Sequence, residues 1–296
     1  MKSFFTMALA LFLLAAAAPA QQKEAIPAFG PERGTLIIVG GGTVGAEIWA
    51  RFIEAAGGVN ASIVVIPTAG DDSAINSGKS PEKDMLQRLG VQSVTVLHTR
   101  DPKIANTETF VAPIRKATGI WFAGGRQWKL ADAYLNTLAH KEFQALLNRG
   151  GVIGGTSAGA TIQGSFLLRG DTKGNNVLIG DHQQGLDFIH HTAIDQHVLR
   201  RNRQFDLLDV IKKHPELLGI GIDESTAIVV QKDSFQVIGN SYVIIYDSKQ
   251  FDGKTRNLTG DSGNNGPFFF LGRGQRFDLK ERKIMRDTPA GGNTAL

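Results

Sequence analysis

A serine in a glycine-rich turn is the residue of this chain best suited to do chemistry. Residues 155–159 read Gly-Thr-Ser-Ala-Gly, a G-x-S-x-G pattern centred on Ser157. The apolar residues 151–153 precede it as a buried strand would, and residues 160–163 can continue as a helix. The backbone of such a strand-to-helix turn is strained, so the residues two before and two after the serine must be small. The pattern predicts a nucleophile, against the alternative of a glycine-rich turn that contains serine by chance.

Acyl transfer by a serine also needs hydrogen-bond donors for the oxyanion. The helix after Ser157 directs backbone N–H groups and its positive dipole end toward that position, beginning with the N–H of Ala158. Gly124 and Gly125 follow residues 120–122, which read as a neighbouring strand. We therefore predict an oxyanion hole formed by the backbone of Gly124, Gly125 and Ala158.

A serine nucleophile needs a base, and one of the seven histidines has distinctive neighbours. His197 directly follows Asp195 and Gln196, and three arginines come within the next six residues. These are Arg200, Arg201 and Arg203. Closely spaced guanidinium groups repel one another unless they meet an anion, which favours a site for a carboxylate. A solvated helical face that carries several arginines is the alternative.

A third group must orient the base, and residues 220–227 contain two candidates. Asp223 and Glu224 come at the end of an apolar strand, the usual functional edge of an α/β sheet. Because side chains alternate along a strand, only one of the two acids can face the site, and the pattern does not choose between them. The resulting chain order is serine, histidine, acid, whereas α/β-hydrolases have serine, acid, histidine.

Two other motifs are weaker. Gly40, Gly42 and Gly45 fit a dinucleotide fingerprint after the first strand, but residues 67–70 at the end of the second strand lack the acid that would bind a ribose. The pair His190–His191 has no third ligand at a spacing typical of zinc. We predict no cofactor and no metal site.

Short β-branched runs alternate with helical stretches in the first half of the chain. This alternation predicts an α/β fold with a mainly parallel central sheet and helices on both faces. The predicted strands are residues 35–39, 62–66, 93–97, 120–122 and 151–153. Beyond Gly170 we expect a loop-rich segment at 171–196, a helix at 198–213, and strands that close the same sheet in an antiparallel manner. These last strands are residues 218–222, 227–230, 235–238 and 242–246.

The N-terminus predicts secretion. Lys2, the apolar residues 4–17 and the Ala-Pro-Ala of residues 18–20 form a secretory signal peptide over residues 1–20, and the apolar run is short for a retained membrane anchor. The expected mature chain is a single domain over residues 21–296, secreted or periplasmic and with no membrane association after cleavage.

Composition excludes several classes of function. The formal charge of +4 is small and the basic residues are scattered, so no nucleic-acid partner is expected. The chain has no cysteine, which excludes thiol catalysis and thiolate metal sites. The sequence does not determine the oligomeric state, and a homodimer is one of the alternatives.

Six motifs in the same order over residues 34–246 resemble cyanophycinase. This family of serine exopeptidases shares its fold with aspartyl dipeptidase and the class I glutamine-amidotransferase-like proteins. The motifs are Gly40-Gly41-Gly42, Ile66-Pro67-Thr68-Ala69, Phe122-Ala123-Gly124-Gly125-x-Gln127, Gly155-Thr156-Ser157-Ala158-Gly159-Ala160, Asp195-Gln196-His197 and Gly221-Ile222-Asp223-Glu224-x-Thr226-Ala227.

The resemblance implies roles for particular residues. Ser157 matches the nucleophile, His197 the base and Glu224, not Asp223, the acid that orients it. Five residues match positions that line the substrate pocket of the family: Gln127, Asp195, Gln196, Arg201 and Arg203. One position departs from the family, because Asp206 stands where the family has a further arginine.

The resemblance also implies a substrate with aspartyl units. Cyanophycinases hydrolyse a poly-aspartate that carries arginine on each β-carboxyl, and they release β-Asp-Arg dipeptides. The alternatives are an α-aspartyl or isoaspartyl dipeptidase and a non-catalytic homologue that binds acidic peptides.

Overall fold

The computed structural model describes residues 28–250 and 267–285, which form two β-sheets and the helices around them. The predicted signal peptide at residues 1–20 lies outside the described residues. In the described ranges, no helix combines the length and the apolar character needed to cross a bilayer.

The larger sheet has nine strands, and its parallel half matches the prediction. Five strands pair in the order β1-β5-β4-β2-β3, all parallel. They are β1 (Thr35–Val39), β2 (Ser62–Ile66), β3 (Ser93–Val96), β4 (Gly119–Phe122) and β5 (Val152–Thr156). Antiparallel strands continue the sheet from β1. They are β10 (Thr226–Gln231), β11 (Ser234–Gly239), β14 (Arg276–Asp278) and β15 (Lys283–Met285). The predicted α/β architecture, with antiparallel strands near the C-terminus, is confirmed.

A second, six-stranded sheet was not expected. Its order is β13-β12-β9-β8-β6-β7, with β6, β8 and β9 parallel. Its strands are β6 (Gly164–Gly170), β7 (His182–Gln184), β8 (Ile189–Gln196), β9 (Leu218–Ile222), β12 (Val243–Asp247) and β13 (Phe269–Leu271). Two expectations are therefore wrong. Residues 171–196 contain two strands, and the strands at 218–222 and 242–246 belong to this second sheet.

Nine helices are present in the described part of the chain. They are α1 (Ala46–Ala55), α2 (Asp72–Asn76), α3 (Pro81–Arg88), α4 (Pro102–Ala105), α5 (Glu108–Lys116), α6 (Gln127–Tyr134), α7 (Leu138–Asn148), α8 (Ala158–Thr161) and α9 (Asp206–Lys213). The helix predicted at 198–213 forms only in its second half. The Asp223 carboxylate accepts the backbone N–H groups of Leu199 and Arg200, at 3.0 and 2.9 Å, and holds that segment as turns.

Alternation along β1 shows how the layers form. Ile37 and Val39 pack in a core with buried residues of α1 and α3, whereas Leu36 and Ile38 face the opposite core. That second core contains α5, α7 and one face of the six-stranded sheet. The α9 helix covers the other face of the six-stranded sheet. The residues that follow the carboxyl ends of β5, β8 and β9 lie within hydrogen-bonding distance of one another.

Candidate active site

Ser157 lies on the predicted turn between β5 and α8. Its φ of 55° and ψ of −112° place a non-glycine residue in a strained region that costs about 1–3 kcal/mol. The small neighbours are required, because a Cβ on Gly155 would collide with the carbonyl of Gly159, and a Cβ on Gly159 would collide with the carbonyl of Phe122. The Ser157 N–H donates to the Val39 carbonyl at 3.1 Å, which ties the turn to the adjacent strand.

A chain of hydrogen bonds connects the serine hydroxyl to a carboxylate. Ser157 Oγ lies 2.9 Å from His197 Nε2, and His197 Nδ1 lies 2.6 Å from Glu224 Oε1. An ionised carboxylate only accepts hydrogen bonds, so Nδ1 carries the proton and Nε2 is left to accept the hydroxyl proton. An imidazole in this tautomer and position can act as a general base toward the hydroxyl.

The glycine-rich loop after β1 supports the histidine. His197 N–H donates to the Gly40 carbonyl at 2.8 Å, and Ser225 N–H donates to the Gly41 carbonyl at 2.9 Å. A Cβ on Gly41 would overlap the imidazole ring, and one on Gly42 would lie 2.7 Å from Glu224 Oε2. The loop therefore packs its backbone directly against the imidazole and the carboxylate, which accounts for these glycines without a dinucleotide.

The two adjacent acids point in different directions. Glu224 reaches the imidazole, whereas Asp223 accepts hydrogen bonds from the turn after His197 and, through Oδ2, from the Ser241 hydroxyl at 2.7 Å. In the structure, the acid that contacts the imidazole is Glu224 and not Asp223.

Two of the three predicted oxyanion donors, Ala158 and Gly124, lie next to the serine. Ala158 is the first residue of α8, so its N–H has no acceptor within the helix. In residues 28–250 and 267–285, the N–H groups of Gly124 and Gly125 make no backbone hydrogen bond. A Cβ on Gly124 would lie 3.9 Å from Ser157 Oγ, so this loop lies directly beside the hydroxyl. The role of the three N–H groups as an oxyanion hole stays a prediction.

The guanidinium groups of two arginines influence the charge of the His197 imidazole. Burial lowers the pKa of His197; its hydrogen bond to Glu224 opposes that shift, and Arg201 and Arg203 reinforce it. Arg201 is exposed, whereas Arg203 is buried and its Nη1 donates to the Gln196 carbonyl at 3.2 Å. Both guanidinium groups therefore lie close enough to the imidazole to influence its charge, and both favour the neutral form that a base requires.

Asp195 forms an ion pair with a buried arginine, Arg169, that the sequence analysis missed. Arg169 Nε and Nη2 donate to the two oxygens of Asp195 at 2.9 and 2.8 Å, and Nη2 also donates to Asp206 at 2.6 Å. The side chains of Arg169 and Asp195 are 3% and 1% exposed. Asp195 is therefore paired inside the protein. An arginine in the apolar strand β6 was the available signal, because a buried guanidinium requires a carboxylate partner.

Gln127 is also buried. Its Nε2 donates to the Leu168 carbonyl at 2.8 Å, while its Oε1 has no hydrogen-bond partner in the described part of the chain. The described residues contain no group of three His, Asp or Glu side chains arranged to hold a metal ion.

Comparison with known proteins identifies the family. The family model described as Peptidase family S51 matches residues 36–238, more than half of the chain. The chain belongs to peptidase family S51. It is therefore a serine-type peptidase, a hydrolase of the cyanophycinase-like kind.

Relatives within this S51 family are similar over most of their length. The chain is 32% identical to a cyanophycinase from Geminocystis herdmanii over 264 residues, covering 86% of this chain and 96% of the relative. It is 30% identical to a cyanophycinase from a Nostoc species, covering 85% and 88%. A crystal structure of a peptidase from an acI-B1 Actinobacterium superposes with a TM-score of 0.62 at 24% identity, covering 84% of this chain and 98% of that one. The structural likeness confirms the fold.

Proposed function

We propose that this S51 peptidase removes units from the end of an aspartyl polymer of the cyanophycin type, and that Ser157, His197 and Glu224 are its catalytic residues. The observation that carries the proposal is the continuous hydrogen-bond chain from Ser157 Oγ through both nitrogens of His197 to Glu224. The cyanophycinase relatives support the substrate class.

In the proposed reaction Ser157 Oγ attacks the scissile carbonyl while His197 Nε2 takes the hydroxyl proton. Glu224 holds the imidazole in the required tautomer and stabilises the imidazolium. The backbone N–H groups of Ala158 and of Gly124-Gly125 donate to the oxyanion of the tetrahedral intermediate. His197 then gives its proton to the leaving amine, and water hydrolyses the acyl-enzyme by the reverse sequence.

The basic side of the site supports an anionic substrate. A terminal β-linked aspartyl unit carries a free α-carboxylate, and planar guanidinium groups bind carboxylates in a bidentate manner. We assign this carboxylate to the exposed Arg201, with Arg203 and Gln196 behind it and Gln127 as a neutral partner. Asp195 contributes indirectly, since its carboxylate is paired with Arg169.

A specific observation favours the second candidate, an α-aspartyl or isoaspartyl dipeptidase. Asp206, which replaces an arginine of the cyanophycinases, pairs with Arg169 and does not add a guanidinium to the pocket. A pocket with one cation fewer holds fewer carboxylates and so suits a shorter substrate. A non-catalytic binding homologue is the third candidate, and the intact hydrogen-bond chain argues against it.

We also propose that the protein is secreted or periplasmic. The leader-like pattern of residues 1–20 supports export, and an exported enzyme would act on polymer released from lysed cells.

One incubation series tests the proposed function. Mature protein is incubated with insoluble cyanophycin, with β-aspartyl dipeptides and with α-aspartyl dipeptides, and the products are identified by mass spectrometry. Release of β-Asp-Arg dipeptides supports the first candidate. Hydrolysis of dipeptides without attack on the polymer replaces it with the second. Absence of hydrolysis by folded protein on every substrate refutes both.

A further inference from the structure

A cavity of about 210 Å³ adjoins the proposed catalytic residues. Two of its lining residues connect it to them: Thr156 directly precedes Ser157, and Gly42 packs against Glu224. Its other lining residues come from the loop after β1, from β4, and from α1 and α3. They are Thr43, Val44, Trp49, Pro81, Glu82, Met85 and Trp121. The volume is many times the roughly 15 Å³ that one water molecule needs.

The cavity wall is apolar and aromatic. Trp49 and Trp121 lie with ring centroids 4.2 Å apart and an angle of 33° between their planes, and Met85 and Val44 continue the same wall. Two buried polar atoms in this lining, Trp121 Nε1 and Thr156 Oγ1, have no hydrogen-bond partner among the described residues. Buried polar atoms are normally satisfied, and Thr156 Oγ1 can accept a hydrogen bond from a ligand with an apolar stem and a donor head, whereas Trp121 Nε1 can only donate.

One charged residue lines the cavity. Glu82 is half-buried, and in the described ranges no lysine, arginine or histidine pairs with it; its carboxylate accepts only from its own backbone N–H. Burial raises the pKa of Glu82, because the charged form is poorly solvated there. A cation that enters the cavity would relieve that penalty.

The other carboxylates that could recognise a guanidinium near this site are already occupied. Arg169 takes both oxygens of Asp195 and one oxygen of Asp206. Glu224 is engaged by His197, and Asp223 by the turn that follows it. Among these five described acids, Glu82 is the one whose carboxylate no other described residue engages.

We infer that this cavity is a cation subsite, in which Glu82 binds the guanidinium of an arginine carried by the substrate and the half-buried Val44 and Met85 pack against its methylenes. Guanidinium groups are weakly hydrated and pair with carboxylates, and the three methylenes of an arginine side chain match an apolar wall. The inference rests on the proposed function, since it names the part of the protein that distinguishes arginine-bearing aspartyl units from bare ones.

The test measures binding without turnover. Ser157→Ala protein is titrated calorimetrically with β-aspartyl-arginine and with β-aspartyl-citrulline, in which a neutral urea replaces the guanidinium at nearly constant shape. We expect the arginine ligand to bind at least tenfold more tightly. The additional change Glu82→Gln should weaken arginine binding at least tenfold and leave citrulline binding unchanged.

The matched control is Asp84→Asn, which removes an exposed acid from the same helix outside the cavity and should change neither affinity. The inference is overturned if both dipeptides bind equally, if Glu82→Gln keeps the preference for arginine, or if neither dipeptide binds. Hydrolysis of cyanophycin by the unaltered protein is measured separately. That activity can persist when the subsite is refuted, and its absence would count against the proposed function itself.

Discussion

The two sheets contribute to the candidate active site in different ways. The nine-stranded sheet contributes backbone: the strained Ser157 turn after β5 and the Gly40–Gly42 loop after β1, where added side chains would collide with the site. The six-stranded sheet contributes charge: His197 after β8, Glu224 after β9, and the buried pair of Arg169 and Asp195 beside them.

The difference separates two physical requirements. On the first sheet the chemistry depends on where the backbone places a hydroxyl and its neighbouring N–H groups, so removing the hydroxyl should affect catalysis and leave packing intact. On the second sheet each group is held by a charged or polar partner, so removing one partner should alter stability or a pKa as well as turnover. Substitutions in the two regions should therefore have separable effects on kcat and on unfolding.

The largest expected effect is on the nine-stranded side. Ser157→Ala should lower kcat by about 10⁴-fold or more, because catalytic residues of this kind act as a unit. Its free energy of unfolding should change little, since only an oxygen atom is lost. Steady-state kinetics and thermal unfolding check the result, with the exposed Ser73→Ala as control. Near-normal turnover by folded Ser157→Ala protein would remove Ser157 from the mechanism.

The adjacent acids of the six-stranded side give the second contrast. Glu224→Gln should lower kcat by about 10⁴-fold with normal folding, because an amide no longer fixes the imidazole tautomer or stabilises the imidazolium. Asp223→Asn should instead destabilise the fold by about 1–3 kcal/mol, because two backbone N–H groups lose a charged acceptor. Kinetics and chemical denaturation of both variants decide between them, and the opposite pattern would show that the roles are exchanged.

The buried charges predict that loss of Arg169 destabilises the protein more than loss of its more exposed partner Asp206. Arg169→Ala should destabilise the protein by about 3–5 kcal/mol, because it leaves Asp195 charged and buried. Asp206→Ala removes a partner that is 38% exposed and should change stability by about 0–1 kcal/mol. Denaturant unfolding measures both, and equal losses would contradict this view of the network.

The smallest expected effect is on pH dependence. His197 must be neutral to act as a base, so kcat/KM should fall with decreasing pH only below the ordinary pKa of histidine, since burial and the nearby arginines lower it. Arg201→Gln removes one of those cations, so the acid limb should move to higher pH, by less than about one unit. Arg200→Gln, the same charge change one residue earlier, is the control and should move the limb less. A shift to lower pH would contradict the electrostatic assignment.

The sequence was sufficient for the parallel half of the larger sheet, because β1, β2 and β5 are short apolar runs that end in glycine or turn residues. It failed on β7 and β8, since the polar residues of β8 read as loop although Thr192, Asp195 and Gln196 are buried. Pairing of β9 and β12 away from the larger sheet depends on contacts distant in the chain, which no local pattern encodes.

The site was predicted in part for the same reason. Ser157 and His197 are marked by their immediate neighbours, whereas the choice of Glu224 over Asp223 came only through the family resemblance. Arg169 escaped notice because its partners, Asp195 and Asp206, lie 26 and 37 residues further along the chain.

Covalent labelling tests the central claim most directly, namely that one base on the six-stranded sheet activates one hydroxyl on the nine-stranded sheet. A fluorophosphonate probe is incubated with folded protein, and the modified residue is located by peptide mass spectrometry. The account predicts labelling of Ser157 in the unaltered protein, and its loss in a folded His197→Ala variant. Labelling of another residue, or undiminished labelling of Ser157 without His197, would contradict it.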